Sequence, residues 1–200
     1  MVSLVRIQSS RLTESLDNKL IIKAFLFSKF HQRLSTMIFR KATIEDIDTI
    51  AEIISAASAR LGAAGIDQWQ RGYPNRNSIE KDIADGVGMV LCVADTILAY
   101  GAVIFTGEKA YDDLSGGEWL TDGEYACVHR LCVSDIFVGM GFSRQFMLAA
   151  EAMASERVKS IRIDTHPDNA IMHHLIQSLG YTYCGDVVIE SLRMAYEKLI

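Results

Sequence analysis

The sequence predicts an α/β fold for most of the chain, and two observations lead to this prediction. From residue 37 onward, short apolar runs with strand character alternate with segments in which apolar residues recur at helical spacing. In residues 131–151, an apolar run meets a turn with glycines at 139 and 141 and continues into an amphipathic helical pattern. Of the 200 residues, 50% are hydrophobic and only two are prolines, which suits one domain with a sizeable core.

The predicted domain begins with a strand at residues 38–41, followed by two helices. Thr43 and Asp46 have the spacing of a capping box, and an apolar stripe with helical period follows them. The stripe consists of Ile47, Ile50, Ile53, Ile54 and Ala57. Ser78 is expected to cap a second, shorter helix that ends near Gly86.

The rest of the domain is predicted from apolar runs and from glycine-containing breaks. Strands are predicted at residues 89–94, 97–105, 125–133, 159–164, 181–190 and 193–199. Helices are predicted at residues 142–157 and 169–179, the second ended by Gly180. Glycines and acidic residues cluster in residues 108–123, which indicates an irregular surface loop. The last two strands are close enough in sequence to form a hairpin.

Residues 1–36 differ in composition from the rest of the chain. They contain six basic and two acidic residues, a net charge of +4, whereas the whole chain has a net charge of −5. We expect the domain to start at Met37 and residues 1–36 to be an extension that is not native to the protein. The alternative is an amphipathic helix that docks on a membrane or on a partner.

Charge, cysteine usage and hydropathy indicate a soluble cytoplasmic protein. The acidic net charge argues against a protein that coats nucleic acid and is compatible with a cationic amine as partner. No apolar stretch approaches the roughly 20 residues that span a bilayer. The cysteines lack CxxC spacing and mostly lie in apolar runs, so we expect reduced core residues. They are Cys92, Cys127, Cys132 and Cys184.

The turn at Gly139 and Gly141 is the strongest functional signal that the residues themselves provide. Glycine lets the backbone approach a ligand closely, and the helix that follows points unpaired N–H groups and its positive dipole end at an anion. A ligand that carries phosphate is therefore expected at this turn.

Several segments together resemble the GNAT superfamily of acyl-CoA-dependent N-acyltransferases. The three main ones are residues 38–50, 131–147 and 161–181, and the resemblance extends from residue 38 to the C-terminus. A bacterial branch of this family is similar in DQWQ at 67–70, VHRL at 128–131 and DTHPDN at 164–169. The resemblance implies a central mixed, mostly antiparallel sheet flanked by helices. It also implies an N-acetyltransferase that transfers an acetyl group from acetyl-CoA to a primary amine of a small molecule, by direct attack in a ternary complex.

The resemblance places acyl-CoA at the glycine turn and along the strand before it. The family pattern (Q/R)xxGx(G/A) falls on Val138, Gly139, Met140, Gly141, Phe142 and Ser143. Val138 and Ser143 depart from this pattern, although the Ser143 hydroxyl would add a contact. Arg144 would balance phosphate charge.

Other cofactor contacts follow from the same resemblance. In the family, acyl-CoA lies along the strand that here contains Leu131, Cys132 and Val133. A main-chain N–H of Cys132 or Val133 would stabilise the oxyanion. Asn169 would contact the pantetheine arm or cap the following helix.

His129 is the first candidate for the catalytic base. An alkylammonium has a pKa near ~10.4, so a base must remove its proton near neutral pH. In many relatives a carboxylate occupies the position of His129, and an imidazole titrating near ~6.5 can also serve. The alternative for His129 is a hydrogen-bonded strand residue. Glu124 is the reserve candidate, and Ile176 replaces the tyrosine that relatives use as general acid.

The acceptor pocket is expected in the loop between the first two helices, which covers the acceptor side in relatives. Trp69, Gln70 and Tyr73 are its candidate residues, with cation–π contacts to an amine. His166 follows a predicted strand end, where α/β sheets place ligands. No metal site is expected from His166, His173 and His174, because adjacent helical residues do not share a face.

Two further functions fit the same resemblance. A non-catalytic acyl-CoA-binding module is favoured by the missing tyrosine and by Val138. A protein N-terminal acetyltransferase would need an open peptide groove in place of a pocket closed by Trp69 and Tyr73. Homodimers are common in the family, so a homodimer is a further expectation.

Overall fold

The computed structural model describes residues 37–200, which form a seven-stranded sheet with helices on it. The strands are β1 (Met37–Lys41), β2 (Gly88–Val93), β3 (Thr96–Ile104), β4 (Ala126–Val133), β5 (Ser160–Thr165), β6 (Thr182–Ile189) and β7 (Ser191–Leu199). The α-helices are α1 (Ile47–Ala63), α2 (Arg76–Ala84), α3 (Phe142–Ser155) and α4 (Ala170–Ser178). The expectations for residues 1–36 lie outside the described residues.

The sheet is mixed and mostly antiparallel, which confirms the predicted fold class. Its strand order is β1-β2-β3-β4-β5-β7-β6. The pairs β2/β3, β3/β4, β5/β7 and β6/β7 are antiparallel, whereas β4 and β5 are parallel. The last two strands form the predicted hairpin.

The first two helices begin at capping boxes. Thr43 N donates to Asp46 Oδ2 at 2.8 Å, as predicted, and a single 3-10 turn (Ile44–Asp46) leads into α1. At α2 the predicted cap was wrong by three residues. Asn75 is the N-cap, and its side chain accepts a hydrogen bond from Ser78 N at 3.2 Å. Ser78 is the other half of this box, because its hydroxyl accepts from Asn75 N.

Helices α1 and α3 pack on opposite faces of the sheet. The predicted stripe of α1 is buried in one core cluster that includes Tyr100 on β3. Successive side chains of a strand alternate between the two faces of the sheet, so a side chain at Gly101 would point to the face opposite that of Tyr100. A Cβ at Gly101 would lie 2.8 Å from Phe146 Cζ on α3, so this position requires glycine.

Strand β4 carries a β-bulge in its second half. His129 pairs with Ala102 and Cys132 pairs with Tyr100, so Arg130 and Leu131 together oppose one residue of β3. Arg130 has a φ of 57°, which is unfavourable for a residue with a side chain. Pairing of β4 with β5 is confined to residues 126–128. From His129 onward the two strands diverge, and a cleft opens between them.

A buried ion pair holds the bulge. Arg130 Nε and Nη2 donate to Asp82 Oδ2 and Oδ1 at 2.8 and 2.6 Å. Tyr100 Oη donates to Asp82 Oδ2 at 2.5 Å. The side chains of Arg130 and Asp82 are only 10% and 6% exposed, so solvent screens this pair weakly. These side-chain contacts stabilise Arg130 in its unfavourable backbone conformation with positive φ.

Removing the charge of Asp82 should therefore destabilise the domain strongly. In Asp82→Asn the Arg130 cation stays buried without its counter-charge, which costs about 3–5 kcal/mol. Urea unfolding measures the loss. Asp85→Asn is the matched control, because Asp85 forms an exposed pair with Lys81 on the same helix and should change stability by less than about 1 kcal/mol. Similar losses in the two variants would contradict a structural role for the Asp82–Arg130 pair.

Candidate active site

A cavity of about 320 Å³ lies in the cleft between β4 and β5. Its walls come from α1, the loop between α1 and α2, the loop after β3, the second half of β4, the turn before α3, the end of β5, the start of α4 and the start of β7. The sequence predicted the β4 wall, the turn, the loop between α1 and α2, and Asn169 at the start of α4. It did not predict the contribution of β7.

His129 is buried in this cavity between two carboxylates. Its Nε2 lies 3.6 Å from Glu108 Oε2, and its Nδ1 lies 3.8 Å from Asp164 Oδ1. Burial lowers the pKa of His129, and Arg130 lowers it further, whereas Asp164, Glu108 and Asp82 act in the opposite direction. His129 Nε2 has no hydrogen-bond partner among residues 37–200. The imidazole is therefore neutral near pH 7 and has an unused nitrogen.

The carboxylate of Asp164 is fixed from the opposite side. Tyr111, which is fully buried, donates its hydroxyl to Asp164 Oδ1 at 2.8 Å. Burial and the nearby Asp164 raise the pKa of Tyr111, so the phenol remains a donor. This hydrogen bond orients Asp164 beside the imidazole.

Sequence analysis missed both acidic neighbours of His129. Asp164 is at the end of a predicted strand, where α/β sheets place ligands. Its position in the sequence could therefore have indicated a site residue. Glu108 comes from the irregular loop after β3. The sequence predicts this loop but does not indicate that Glu108 reaches His129. Glu124, the reserve base, is exposed just before β4 and does not line the cavity.

The glycine turn has the backbone geometry expected of an anion-binding site. Gly139 and Gly141 have φ values of 82° and 83°, and Gly141 is the N-cap of α3. A Cβ on either glycine would meet no atom within 4 Å, so the space beside the turn is open. Val138, Gly139 and Ser143 line the cavity. The turn therefore fits a phosphate group held by main-chain N–H groups.

The other residues predicted at this turn face elsewhere. Phe142 is buried against Phe137, with ring centroids 5.8 Å apart. Arg144 Nη1 donates to Ser178 Oγ at 2.9 Å and so contacts the end of α4. Neither these two residues nor Met140 lines the cavity.

Leu131, Cys132 and Val133 form the β4 wall of the cavity. Ser134 N donates to Leu98 O on β3 at 2.9 Å, and backbone N–H groups alternate in direction along a strand. The N–H of Val133 therefore points away from β3 into the cleft, whereas that of Cys132 points toward β3. The carbonyl of Val133 also faces the cleft and accepts from Arg60 Nη2 at 3.1 Å.

Two of the predicted acceptor residues line the cavity. Tyr73 contacts it and accepts a hydrogen bond from Arg130 Nη1. Trp69 lines it as well while packing against the α1 core cluster. Gln70 is exposed and does not line it, because its amide donates to Ser58 O at 3.0 Å. His166 also lies outside the lining and accepts from Asp168 N at 3.2 Å.

Asn169 is buried at the start of α4 and caps that helix. Its Oδ1 accepts from Met172 N at 3.2 Å, and its Nδ2 donates to Gln68 Oε1 at 3.0 Å. Both Asn169 and Gln68 line the cavity. The cap alternative for Asn169 is thus observed, and Gln68 is a wall residue that sequence reasoning missed.

In the part of the chain that the structure describes, no cluster of three or more His, Cys, Asp or Glu side chains could hold a metal ion. Among residues 37–200, none of the helices combines the length and the apolar character that crossing a membrane requires.

Comparison with known proteins identifies the family. The model of the acetyltransferase (GNAT) family matches residues 54–181, which is more than half of the chain. The chain belongs to the GNAT acetyltransferase family. No curated protein matches it significantly.

Solved GNAT structures resemble the domain over most of its length. An acetyltransferase of the GNAT family from Streptococcus agalactiae 2603 is 37% identical with a TM-score of 0.78, and the match covers 82% of this chain and 95% of that one. One from Listeria monocytogenes 4b F2365 is 23% identical with a TM-score of 0.67, over 82% and 95%. A GNAT-superfamily phosphinothricin acetyltransferase from Sinorhizobium meliloti, in complex with acetyl-CoA, is 10% identical with a TM-score of 0.60, over 82% and 89%.

The GNAT family is a family of acetyltransferases. The predictions of the GNAT fold, of an acyltransferase and of acetyl-CoA as acyl donor are therefore confirmed. The individual roles of the site residues remain predictions.

The buried neutral imidazole of this GNAT domain predicts a specific pH dependence of stability. Below pH ~6.5, the ordinary imidazole pKa, the unfolded chain takes up a proton at His129 that the folded protein resists. The free energy of unfolding should then fall by at most about 1.4 kcal/mol per pH unit until the pH reaches the folded pKa.

Urea unfolding across this pH range measures the effect. His129→Gln should lose less stability on acidification than the unmodified protein. His174→Gln, an exposed histidine on α4, is the matched control and should keep the full dependence. An unchanged dependence in His129→Gln would show that the imidazole is not held neutral by the fold.

Proposed function

We propose that the protein transfers the acetyl group of acetyl-CoA to a primary amine of a small molecule, by direct attack in a ternary complex. The observation that carries this proposal is the position of His129. Its imidazole is neutral, has a free nitrogen and lies in a cavity bounded by the unpaired edge of β4. A base is thus placed beside a backbone edge that can bind a thioester.

The donor would bind between the glycine turn and β4. The pyrophosphate would contact the open main chain at Gly139 and Gly141, with Ser143 beside it. The pantetheine arm would follow the free edge of β4. Because Arg144 is engaged with Ser178, the main-chain N–H groups and the α3 dipole would balance the phosphate charge.

His129 would act as the base. The ammonium group of the acceptor gives up a proton to Nε2, and the free amine then attacks the thioester carbon. The C–N bond forms, the C–S bond breaks and CoA leaves as a thiolate with the bonding electron pair. The second proton of the nitrogen passes to this thiolate as the amide forms. Glu108 and Asp164 support this role, because two carboxylates attract an ammonium group and stabilise the imidazolium that forms.

The main-chain N–H of Val133 would stabilise the negative charge that develops on the thioester oxygen. It points into the cleft, whereas the N–H of Cys132, the other predicted donor, faces β3. The α4 residues that line the cavity are Ile171, Met172 and Leu175, none of which is an acid for the leaving thiolate, and Ile176 is fully buried. A thiol with an ordinary pKa near ~8.5 can leave without one.

A small acceptor is favoured over a protein N-terminus. Trp69 and Tyr73 border the cavity, and both are anchored, Trp69 on the α1 core cluster and Tyr73 by Arg130. An extended peptide would need these residues to leave an open groove. The four cysteines are free and buried, which supports the proposed cytoplasmic location.

Release of CoA thiol in the presence of a panel of amines tests the function. The unmodified protein should release CoA in an amine-dependent manner. His129→Gln should lower kcat by about 100-fold or more, because a positioned base contributes 10²–10⁴ in rate. Its affinity for CoA should be unchanged, since His129 touches neither the turn nor the helix that would hold the phosphates.

His174→Gln is again the control and should have the activity of the unmodified protein. Full activity in His129→Gln would remove the imidazole from the mechanism. Tight CoA binding without turnover of any amine would identify a binding module instead of an enzyme acting on these substrates.

A further inference from the structure

Arg193 is a buried cation in the same cavity, and no carboxylate of the described residues pairs with it directly. The charges of Asp164, Glu190 and Asp67 favour its protonated form from beyond 4.0 Å. Arg193 lies on β7 and is only 3% exposed. It lines the cavity together with Asp164. Nε donates to Ile189 O at 3.2 Å, whereas Nη1 has no hydrogen-bond partner among the described residues. No ion pair within 4.0 Å involves Arg193 in this part of the chain.

The other strongly buried arginines of the domain show how the fold satisfies such groups. Arg130 is paired with Asp82, and Arg162 donates from Nε to Glu197 Oε1 at 3.1 Å. Arg162 is 4% exposed, so its burial matches that of Arg193. A buried guanidinium left without such a partner is costly. An anion that enters the cavity would give Nη1 of Arg193 the partner that the described residues do not supply.

Arg193 is close to the base but separate from the phosphate-binding turn. Asp164, which contacts His129, pairs with Ala195, and residues two apart on one strand share a face about 7 Å apart. The turn at Gly139 follows β4, and β5 lies between β4 and β7, so about 10 Å of sheet separates the two features. The unpaired guanidinium therefore lies on the β7 side of the cavity, away from the turn.

The charges of the cavity are divided in a way that matches a zwitterion. Glu108 and Asp164 flank the imidazole and favour a positively charged amine. Arg193 presents an unpaired donor beyond them. Thr165 Oγ1, at the end of β5, is also buried without a partner among residues 37–200 and lines the same cavity. These groups are arranged for a molecule that is cationic at one end and anionic at the other.

Resting on the acetyl transfer proposed above, we infer that the acceptor amine also carries a carboxylate, which Arg193 binds while His129 takes the proton from the amine. The planar guanidinium suits a carboxylate because it donates parallel hydrogen bonds. Binding the carboxylate would place the nitrogen between His129 and the β4 edge. The acceptor class is thus a compact amino acid, with the amine and the carboxylate a few bonds apart.

The test compares amino acids with their carboxamides, which keep the size and remove the charge. The probes are the standard α-amino acids and the unbranched ω-amino acids from glycine to 6-aminohexanoate, each with its matched carboxamide. For the best acid, kcat/KM should exceed that of its carboxamide by at least about 30-fold, since losing one partner of a buried charge pair costs 2 kcal/mol or more. Equal use of acids and carboxamides would overturn the inference.

Variants of Arg193 separate recognition from structure. Arg193→Gln should lose the preference for carboxylates, and its kcat/KM for carboxamides should change by less than about 3-fold. Arg193→Lys should retain part of the carboxylate preference. Because the guanidinium is unpaired, Arg193→Gln should be at least as stable as the unmodified protein in urea. Arg76→Gln is the control, since Arg76 is an exposed cation that pairs with Asp48 and Glu80 and does not line the cavity, and it should keep the full preference. A strong loss of stability in Arg193→Gln with an unchanged preference would assign Arg193 a structural role.

A binding assay keeps this inference separate from the proposed reaction. Calorimetry with CoA-saturated protein would measure the affinity for the N-acetylated forms of the same acids and carboxamides. Carboxylate-selective binding that is lost in Arg193→Gln would support the inference, even if no acetyl transfer were observed. The missing transfer would then count against the proposed reaction alone. Transfer to simple amines without carboxylate preference would support the reaction and overturn the inference. Binding of no carboxylate in either assay would overturn it as well.

Discussion

The ion pair between Asp82 and Arg130 holds β4 in the conformation on which the cleft depends. It fixes a non-glycine residue at a positive φ and so stabilises the bulge opposite Gly101. Beyond the bulge, β4 no longer pairs with β5, and its backbone groups are free to face a ligand. The same arginine donates to Tyr73 on the acceptor side. One buried pair thus connects α2, β4 and the loop that borders the cavity.

The cavity leaves polar groups unpaired that the rest of the fold would satisfy. Seven buried side-chain atoms of the described residues lack hydrogen-bond partners. Four of them belong to residues that line the cavity, namely Arg60, His129, Thr165 and Arg193. Elsewhere, Glu197 accepts hydrogen bonds from Ser160, Thr121 and Arg162. Unpaired buried groups cost stability, so their concentration in one cavity is the pattern expected of a site that binds polar ligands.

The fold was predictable because its signals are local. The α1 stripe, the strand runs and the glycine turn before α3 each depend on a few consecutive residues, and the structure contains all of them. The cap of α2 was placed three residues late because Asn75 and Ser78 both suit a capping box and only the backbone shows which residue precedes the helix. His129 could be proposed from its position within one strand.

The surroundings of His129 could not be predicted in the same way. Glu108 reaches it from an irregular loop, and Asp164 reaches it through the parallel pairing of β4 with β5. Arg193 is placed by the register of β7 against β5, which no periodicity encodes. The direction of the Val133 N–H likewise depends on how β4 pairs with β3. Long-range register therefore decides the chemistry of the site, whereas local sequence decides its elements.

A crystal structure with a non-reactive ketone analogue of acetyl-CoA, in which a methylene group replaces the thioester sulfur, would test the central claim most directly. The account predicts the analogue's acyl oxygen about 2.7–3.1 Å from Val133 N and the pyrophosphate against the main chain of the turn at Gly139 and Gly141. Its acyl group should face His129 across the cleft. An acyl group away from the β4 edge, or a pyrophosphate bound elsewhere, would contradict the account.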